Sequence, residues 1–306
     1  MSESINGKLD GFDDISANYK LGVVLLCHGS QRGRSKTECS CAWSDGPDSY
    51  KWCRDCPSTA KGLVETTAKL QEILGPGTSE VILSCLEFIE PHPDEAVQML
   101  SERGVRQAIV MPYLLGNGKH ATEEMDEVLD ELRSKLPHLN IHLTEGLGSD
   151  PKLADVVCDR INEMDEFTPR KPEDIIGILM VKAGTKSEYD DCIWFSALGE
   201  LVENKLGPGY AVEVAQSHYG DPTMQFAVDK LVNERNVDVI VCVPYVFFPG
   251  LILQRNIVGS IEELQSTYPH VNMVITPPLG VDDRIVNVAA DRIRNVWDEQ
   301  RFTASS

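Results

Sequence analysis

Three side chains of this 306-residue chain could do chemistry together: His28, Glu87 and His120. Each follows an apolar run: LGVVLLC before His28, EVILSCL up to Glu87, and AIVMPYLL a few residues before His120. A neutral imidazole near pH 7 can hold a divalent cation or take up a proton, and a carboxylate can balance the cation's charge. The Gly116-Asn117-Gly118 stretch gives the backbone freedom to turn His120 inward. His92, His138, His142 and His270 lack such company and read as structural. A second cluster is Cys39-x-Cys41 and Cys53-x2-Cys56, four thiols crowded into a short stretch. Four thiolates suit a structural zinc ion or an iron–sulfur cluster; the other reading is a reduced, cysteine-rich loop without metal. Cys27, Cys85, Cys158, Cys192 and Cys242 lie in apolar strings and read as small buried hydrophobes.

The apolar runs before the three rim residues predict β-strands at 21–27, 80–86 and 108–115, with a shorter one at 140–144. Helical spacing predicts helices at 58–74, 91–103, 122–135 and 151–165. Strands alternating with helices over short loops predict an α/β layer fold with a mainly parallel sheet. In such sheets ligands bind off the carboxyl ends of the strands, which is where the three polar residues leave theirs.

The second half of the chain repeats the first. RGVRQAIVMP at 103–112 matches RNVDVIVCVP at 235–244, LPHLN at 136–140 matches YPHVN at 268–272, and LGSDPKLADVVCDRI at 147–161 matches LGVDDRIVNVAADRI at 279–293. All three pairs share one offset (103 against 235, 136 against 268, 147 against 279), which predicts two tandem copies of one βα domain. The expected organisation is an acidic tail at 1–20, a first domain at 21–165, a Pro- and charge-rich linker at 166–174 and a second domain at 175–298. The first strands pair at a larger offset (Gly22 with Gly177), so the first copy carries an insertion at about 33–57, where the clustered cysteines lie.

Charge narrows the partners. Asp plus Glu number 48 against 28 Lys plus Arg, a formal net charge of -20. So acidic a chain does not seek phosphate backbones or anionic membranes, and no nucleic-acid partner is expected. No run of about 18 apolar residues predicts a membrane span, and the polar, acidic first twenty residues do not look like a signal peptide. The expected location is the cytoplasm, where clustered thiols favour metal over disulfides.

LLCHGS, SCLEFIEP and PYLLGNGKH, in that order and inside a tandem repeat, resemble the sirohydrochlorin chelatases, the class II chelatases of the CbiX/SirB type. The resemblance covers most of residues 21–297. It implies two chelatase-like (flavodoxin/Rossmann-like) domains. It also implies insertion of Co2+ or Fe2+ into a tetrapyrrole of cobalamin or siroheme synthesis, in a cleft between the copies. His28 and His120 match the family's metal-binding and proton-accepting histidines, and Glu87 its catalytic carboxylate. The chemistry is consistent: a free-base macrocycle must lose two pyrrole protons as the metal enters, and imidazole and carboxylate can carry them away.

The second copy departs from the pattern. His28 aligns with Ala183, Glu87 near His218, and His120 with Ile252. That copy is expected to wall the pocket, and Tyr245, Phe247 and Phe248 have two readings: a stacking surface for the macrocycle or, favoured for any one of them, core packing. A carboxylate-rich substrate needs cations at the mouth. Arg32 and Lys119 are the first expected, with Arg34, Lys36, Lys182, Lys186 and Arg255 nearby in the sequence. A fused pair supplies both walls, so a monomer is expected. The rival readings are a non-catalytic metal or tetrapyrrole carrier and a metal-dependent enzyme acting on a diphosphate. No P-loop or G-x-G-x-x-G supports the latter.

Overall fold

The computed structural model describes residues 21–29, 58–75, 77, 79–87, 90–116, 123–148, 150–164, 175–186, 192–250 and 252–304. The expected tail at 1–20, the cysteine-bearing insertion and the linker lie outside them.

In the first half β1 (Leu21–Cys27), β2 (Ser79–Cys85), β3 (Gln107–Pro112) and β4 (Asn140–Leu143) alternate with α1 (Ser58–Leu74), α2 (Pro93–Glu102), α3 (Glu123–Lys135) and α4 (Pro151–Asn162). The second half has the same order: β5 (Ile176–Lys182), α5 (Ile193–Leu206), β6 (Tyr210–Gln216), α6 (Met224–Asn233) and β7 (Val239–Tyr245). A π-helical segment (Ile252–Val258) then leads into α7 (Gly259–Thr267), β8 (Asn272–Ile275) and α8 (Asp283–Ala304). The sheets have matching strand orders, β2-β1-β3-β4 and β6-β5-β7-β8, with every pair parallel.

Local chemistry explains the boundaries. All seven residues of β1 are buried, as a parallel strand covered on both faces requires. The sequence placed α1 at its observed limits; it stops at Gly75, whose φ of +90° a side chain would resist. Helix α4 starts with Pro151 behind Asp150, whose carboxylate accepts the Lys152 N–H at 3.0 Å. Strand β3 is shorter than expected. It ends at Pro112, which has no N–H; the Tyr113 N–H adds one more bond to Leu26 O (2.7 Å), and Leu114 O turns aside to accept from Leu147 N (3.2 Å).

The layers are shared between the halves. Val24 and Leu26 of β1 face α2 and α3 in one outer core, and Leu179 and Val181 of β5 face α6 and α7 in the other. The alternate residues, Val23, Leu25 and Cys27 with Ile178 and Met180, face a single central core that also takes in α1, α4, α5 and α8. The order is therefore helices, sheet, helices, sheet, helices, with one common middle layer.

The middle layer has internal twofold character. Helix α4 packs on α5, α1 packs on α8, and α4 meets α8. Arg160 donates to Leu279 O at 3.0 Å, and its repeat mate Arg292 donates to Leu147 O at 3.3 Å. Arg284 pairs with Asp159 at 2.7 Å, and its mate Lys152 pairs with Asp291 at 2.9 Å. The same contacts made twice in opposite senses are those of an isologous dimer, here built from one chain.

Candidate active site

The rim of the first repeat is built by the ends of β1 and β2. Pairing runs past the strands: Leu86 N–H donates to Cys27 O and Glu87 N–H to His28 O, both at 2.9 Å. These bonds fix the His28 and Glu87 backbones side by side. Gly29 makes the approach feasible. Its φ is +92°, and a Cβ there would lie 1.9 Å from Glu87 O. The chain returns through Pro91, whose carbonyl accepts from Cys85 N at 3.2 Å.

His28 is half-buried and Glu87 is exposed. Nδ1 of His28 lies 3.2 Å from Gly29 O. A carbonyl only accepts, so in this bond Nδ1 is the donor. Beneath the rim, Cys27 and Cys85 are register partners. Burial pushes the Cys85 thiol up to about 11 and the Cys27 thiol well above its ordinary value, with the Cys85 charge adding to the latter. Both are therefore neutral packing groups, as the sequence suggested. His92 also matches its structural reading: Nδ1 donates to Cys85 O at 3.0 Å, and its backbone N–H donates to Glu95 at 2.8 Å at the start of α2.

His120, Lys119 and Arg32 lie outside the described residues, as do Cys39, Cys41, Cys53 and Cys56. Among the described residues, no group of three or more His, Cys, Asp or Glu side chains could hold a metal ion.

The second repeat has the same backbone rim with other side chains on it. Ser217 N–H donates to Lys182 O at 2.9 Å, so Ala183 stands opposite His218 as His28 stands opposite Glu87. The close approach is also kept: a Cβ on Gly184 would lie 1.4 Å from His218 O. Under this rim the two thiols are replaced by Lys182 and Gln216. Lys182 is only 4% exposed, its ammonium 3.0 Å from Gln216 Oε1, so it braces the rim instead of meeting solvent at the mouth. Gln216 Oε1 also accepts Thr185 N–H (2.7 Å), and its Nε2 donates to Asp221 O (2.8 Å), tying both loops down. The sequence reading missed this pair. The signal was a lysine and a glutamine closing two neighbouring strands.

His218 Nδ1 is 2.7 Å from Ser217 Oγ. Burial first, and the Lys182 charge second, hold its pKa below the ordinary histidine value. His218 lines a pocket of about 560 Å³ with Tyr219, Gly220, Thr223 and Glu263.

The three aromatic rings follow the core-packing reading. Tyr245 is 2% exposed and packs against Phe195 at 5.1 Å. Phe247 stacks on Tyr113 at 4.6 Å and 16°, and Phe248 fills the space above Gly62. Phe247 and Phe248 join the repeats to each other, whereas Tyr245 packs on rings of its own repeat.

The comparisons with known proteins agree with this geometry. The CbiX family model matches residues 57–164 and again 177–296. The chain belongs to the CbiX family. Among its CbiX-type relatives, the sirohydrochlorin ferrochelatase of Priestia megaterium is 22% identical over 213 residues, covering 69% of this chain and 76% of that one. The sirohydrochlorin cobaltochelatase of the same organism is 21% identical, over 68% of this chain and 66% of its own length. A short sirohydrochlorin cobaltochelatase from Sulfurisphaera tokodaii is 32% identical over 122 residues, covering 92% of that chain but 39% of this one. The structure of SirB from Bacillus subtilis with Fe3+ superposes with a TM-score of 0.65 at 19% identity, over 90% of this chain and 94% of that one, which shows a common fold.

Proposed function

We propose that this chain is a sirohydrochlorin chelatase, a lyase that inserts Co2+ or Fe2+ into the macrocycle at the strand-end rim of the first repeat. One observation carries the reading: His28 and Glu87 are held side by side by the Glu87 N–H to His28 O bond of 2.9 Å and the Gly29 contact. The names of the Priestia megaterium relatives, a sirohydrochlorin ferrochelatase and a sirohydrochlorin cobaltochelatase, point to the same substrate.

In this reading His28 presents the metal and Glu87 receives a pyrrole proton, while His120 completes the set from the loop after β3. Arg32 and Lys119 attract the substrate's carboxylates to a chain of net charge -20. The domains divide at 166–174, both walls come from one chain, and the protein works as a cytoplasmic monomer. Among the described residues no helix is long and apolar enough to cross a membrane. The insertion bearing Cys39, Cys41, Cys53 and Cys56 holds a thiolate-bound zinc ion or iron–sulfur centre, and serine at all four removes that metal from the purified protein.

The test is to mix the protein with sirohydrochlorin and each metal and follow the macrocycle's absorption. Turnover with either ion supports the proposal. Binding of macrocycle or metal without insertion sinks it in favour of a carrier.

A further inference from the structure

The second repeat leaves open a place that the first repeat fills with one of its own side chains. In the first repeat α3 ends at Lys135, whose ammonium bridges Asp94 at the start of α2 (2.9 Å) and Glu131 one turn back on its own helix (2.7 Å). The helices of the second repeat match these residue for residue. Helices α2 and α6 have ten residues each behind the N-caps His92 and Thr223, so Gln225 stands where Asp94 does. Helix α7 ends at Thr267 directly before YPHVN, as α3 ends at Lys135 directly before LPHLN, so Thr267 replaces Lys135 and Glu263 replaces Glu131. The tethered ammonium is gone, and one of its two carboxylates is kept.

In its place is the pocket of about 560 Å³ between the rim loop, α6 and α7, a size typical of small-molecule sites. Ser260, Glu263 and Thr267 line it from α7 and Gln225 from α6. Among the described residues the Glu263 carboxylate has no ion-pair or hydrogen-bond partner. Gln225 donates its amide N–H to Asp229 at 2.6 Å, which leaves its carbonyl oxygen as an acceptor. One carboxylate flanked by neutral oxygens suits the three N–H donors of an ammonium. A calcium or magnesium ion would demand a full shell of oxygens with more charge than one carboxylate supplies.

The opposite wall is stiff. Tyr219 holds φ +51° although it is bulky, and Gly220 holds φ +58° where a Cβ would lie 2.4 Å from Thr185 O. The Gln216 side chain ties down the loops on which both stand. Tyr219 is 69% exposed with its ring 4.7 Å from that of His218, so an aromatic face is offered at the pocket's edge, and such faces attract cations. Burial and the Lys182 charge keep His218 neutral, so it does not compete as a cation. The same Lys182 charge favours a cation seated on the Glu263 side, and a chain of net charge -20 draws cations toward it.

We propose that this pocket binds a small organic cation, a primary ammonium on an aliphatic stem, with its nitrogen seated on Glu263 as the Lys135 nitrogen is seated on Glu131. The site lies on the far side of the second sheet from the middle layer, and the proposal stands independently of the chelatase reading.

The experiment titrates the full chain with n-butylammonium at about 0.15 M salt, where diffuse attraction to surface charge is screened, and follows the ring protons of His218 and Tyr219 by NMR. Their shifts saturate below about 10 mM, while those of His142 in the first repeat stay in place. The neutral isostere 1-butanol binds at least about 10-fold more weakly, and Glu263→Gln weakens n-butylammonium by a similar factor. Thr267→Lys restores the tethered ammonium and abolishes the saturable shift. Both positions are exposed, and an unchanged or raised Tm shows that the variants are folded. Shifts that fail to saturate would overturn the proposal. So would equal binding of 1-butanol, binding by Glu263→Gln within about threefold of wild type, or undiminished binding by Thr267→Lys.

Discussion

The two strand-end rims of this chain share a backbone and almost nothing else. Each extends its parallel pairing by a step, each places a glycine where a Cβ would strike the opposite carbonyl, and each returns through a cis X–Pro bond, Glu90–Pro91 or Asp221–Pro222. On the first rim stand His28 and Glu87 over two neutral thiols. On the second stand Ala183 and His218 over a buried lysine and glutamine. The difference separates two demands that one active site usually merges. The rim's shape is a packing requirement and is met twice; in the proposed reading its reactivity depends on a few side chains and is met once.

The largest expected effect is on the chemistry. His28→Ala lowers metal insertion by about 100-fold or more with an unchanged circular dichroism spectrum, whereas Ala183→His adds no second activity, because no acid stands opposite it. Equal activity in wild type and His28→Ala would erase the distinction between the rims.

Next come the glycines. Gly29→Ala and Gly184→Ala both force a backbone shift, and each destabilises by about 2–4 kcal/mol in denaturant titration. Only Gly29→Ala lowers activity beyond what its stability loss explains. If Gly184→Ala proves neutral, the two rims are not equivalent scaffolds.

A smaller effect distinguishes the charges. Among the described residues, each repeat holds one histidine with a depressed pKa: His142 by burial and then Arg133, His218 by burial and then Lys182. Depressed in the folded state, each takes up its proton more readily when unfolded. Their contribution to stability is therefore present above the unfolded pKa of about 6.5 and is lost as pH falls through the folded value. Lys182→Met raises the His218 pKa and leaves His142 where it is, read by NMR titration of the ring protons.

The smallest effect concerns the reciprocal ion pairs. Lys152→Met and Arg284→Met remove mates across the middle layer, and each costs at most about 1 kcal/mol, since both pairs are substantially exposed. Unequal losses would show that the twofold contacts have diverged in strength.

The parts legible in the sequence were those with a period or a motif. The buried runs of β1 and β5, the limits of α1 and the shared offset of the repeats all follow from local pattern, and the alignment of Ala183 with His28 and His218 with Glu87 matches the hydrogen bonds. What the sequence left open was direction. Phe247 and Tyr245 could be read as ring-stacking or as core residues, because the Tyr113 ring against which Phe247 packs is 134 positions away in sequence (113 against 247). Lys182 looked like a cation at the mouth because a lysine ending a strand usually reaches water. Only the neighbouring strand reveals Gln216 as its partner.

The common middle layer has one more consequence. Val23 and Leu25 from one half and Ile178 and Met180 from the other are buried in a single cluster with helices of both. Neither half, severed and expressed alone, could hide its inner surface, and each would aggregate or seek a substitute. Brought together, the pieces supply each other's missing solvent shield. A cut between α4 and β5 would then leave a non-covalent pair that melts in one step, because what holds each half folded belongs to both.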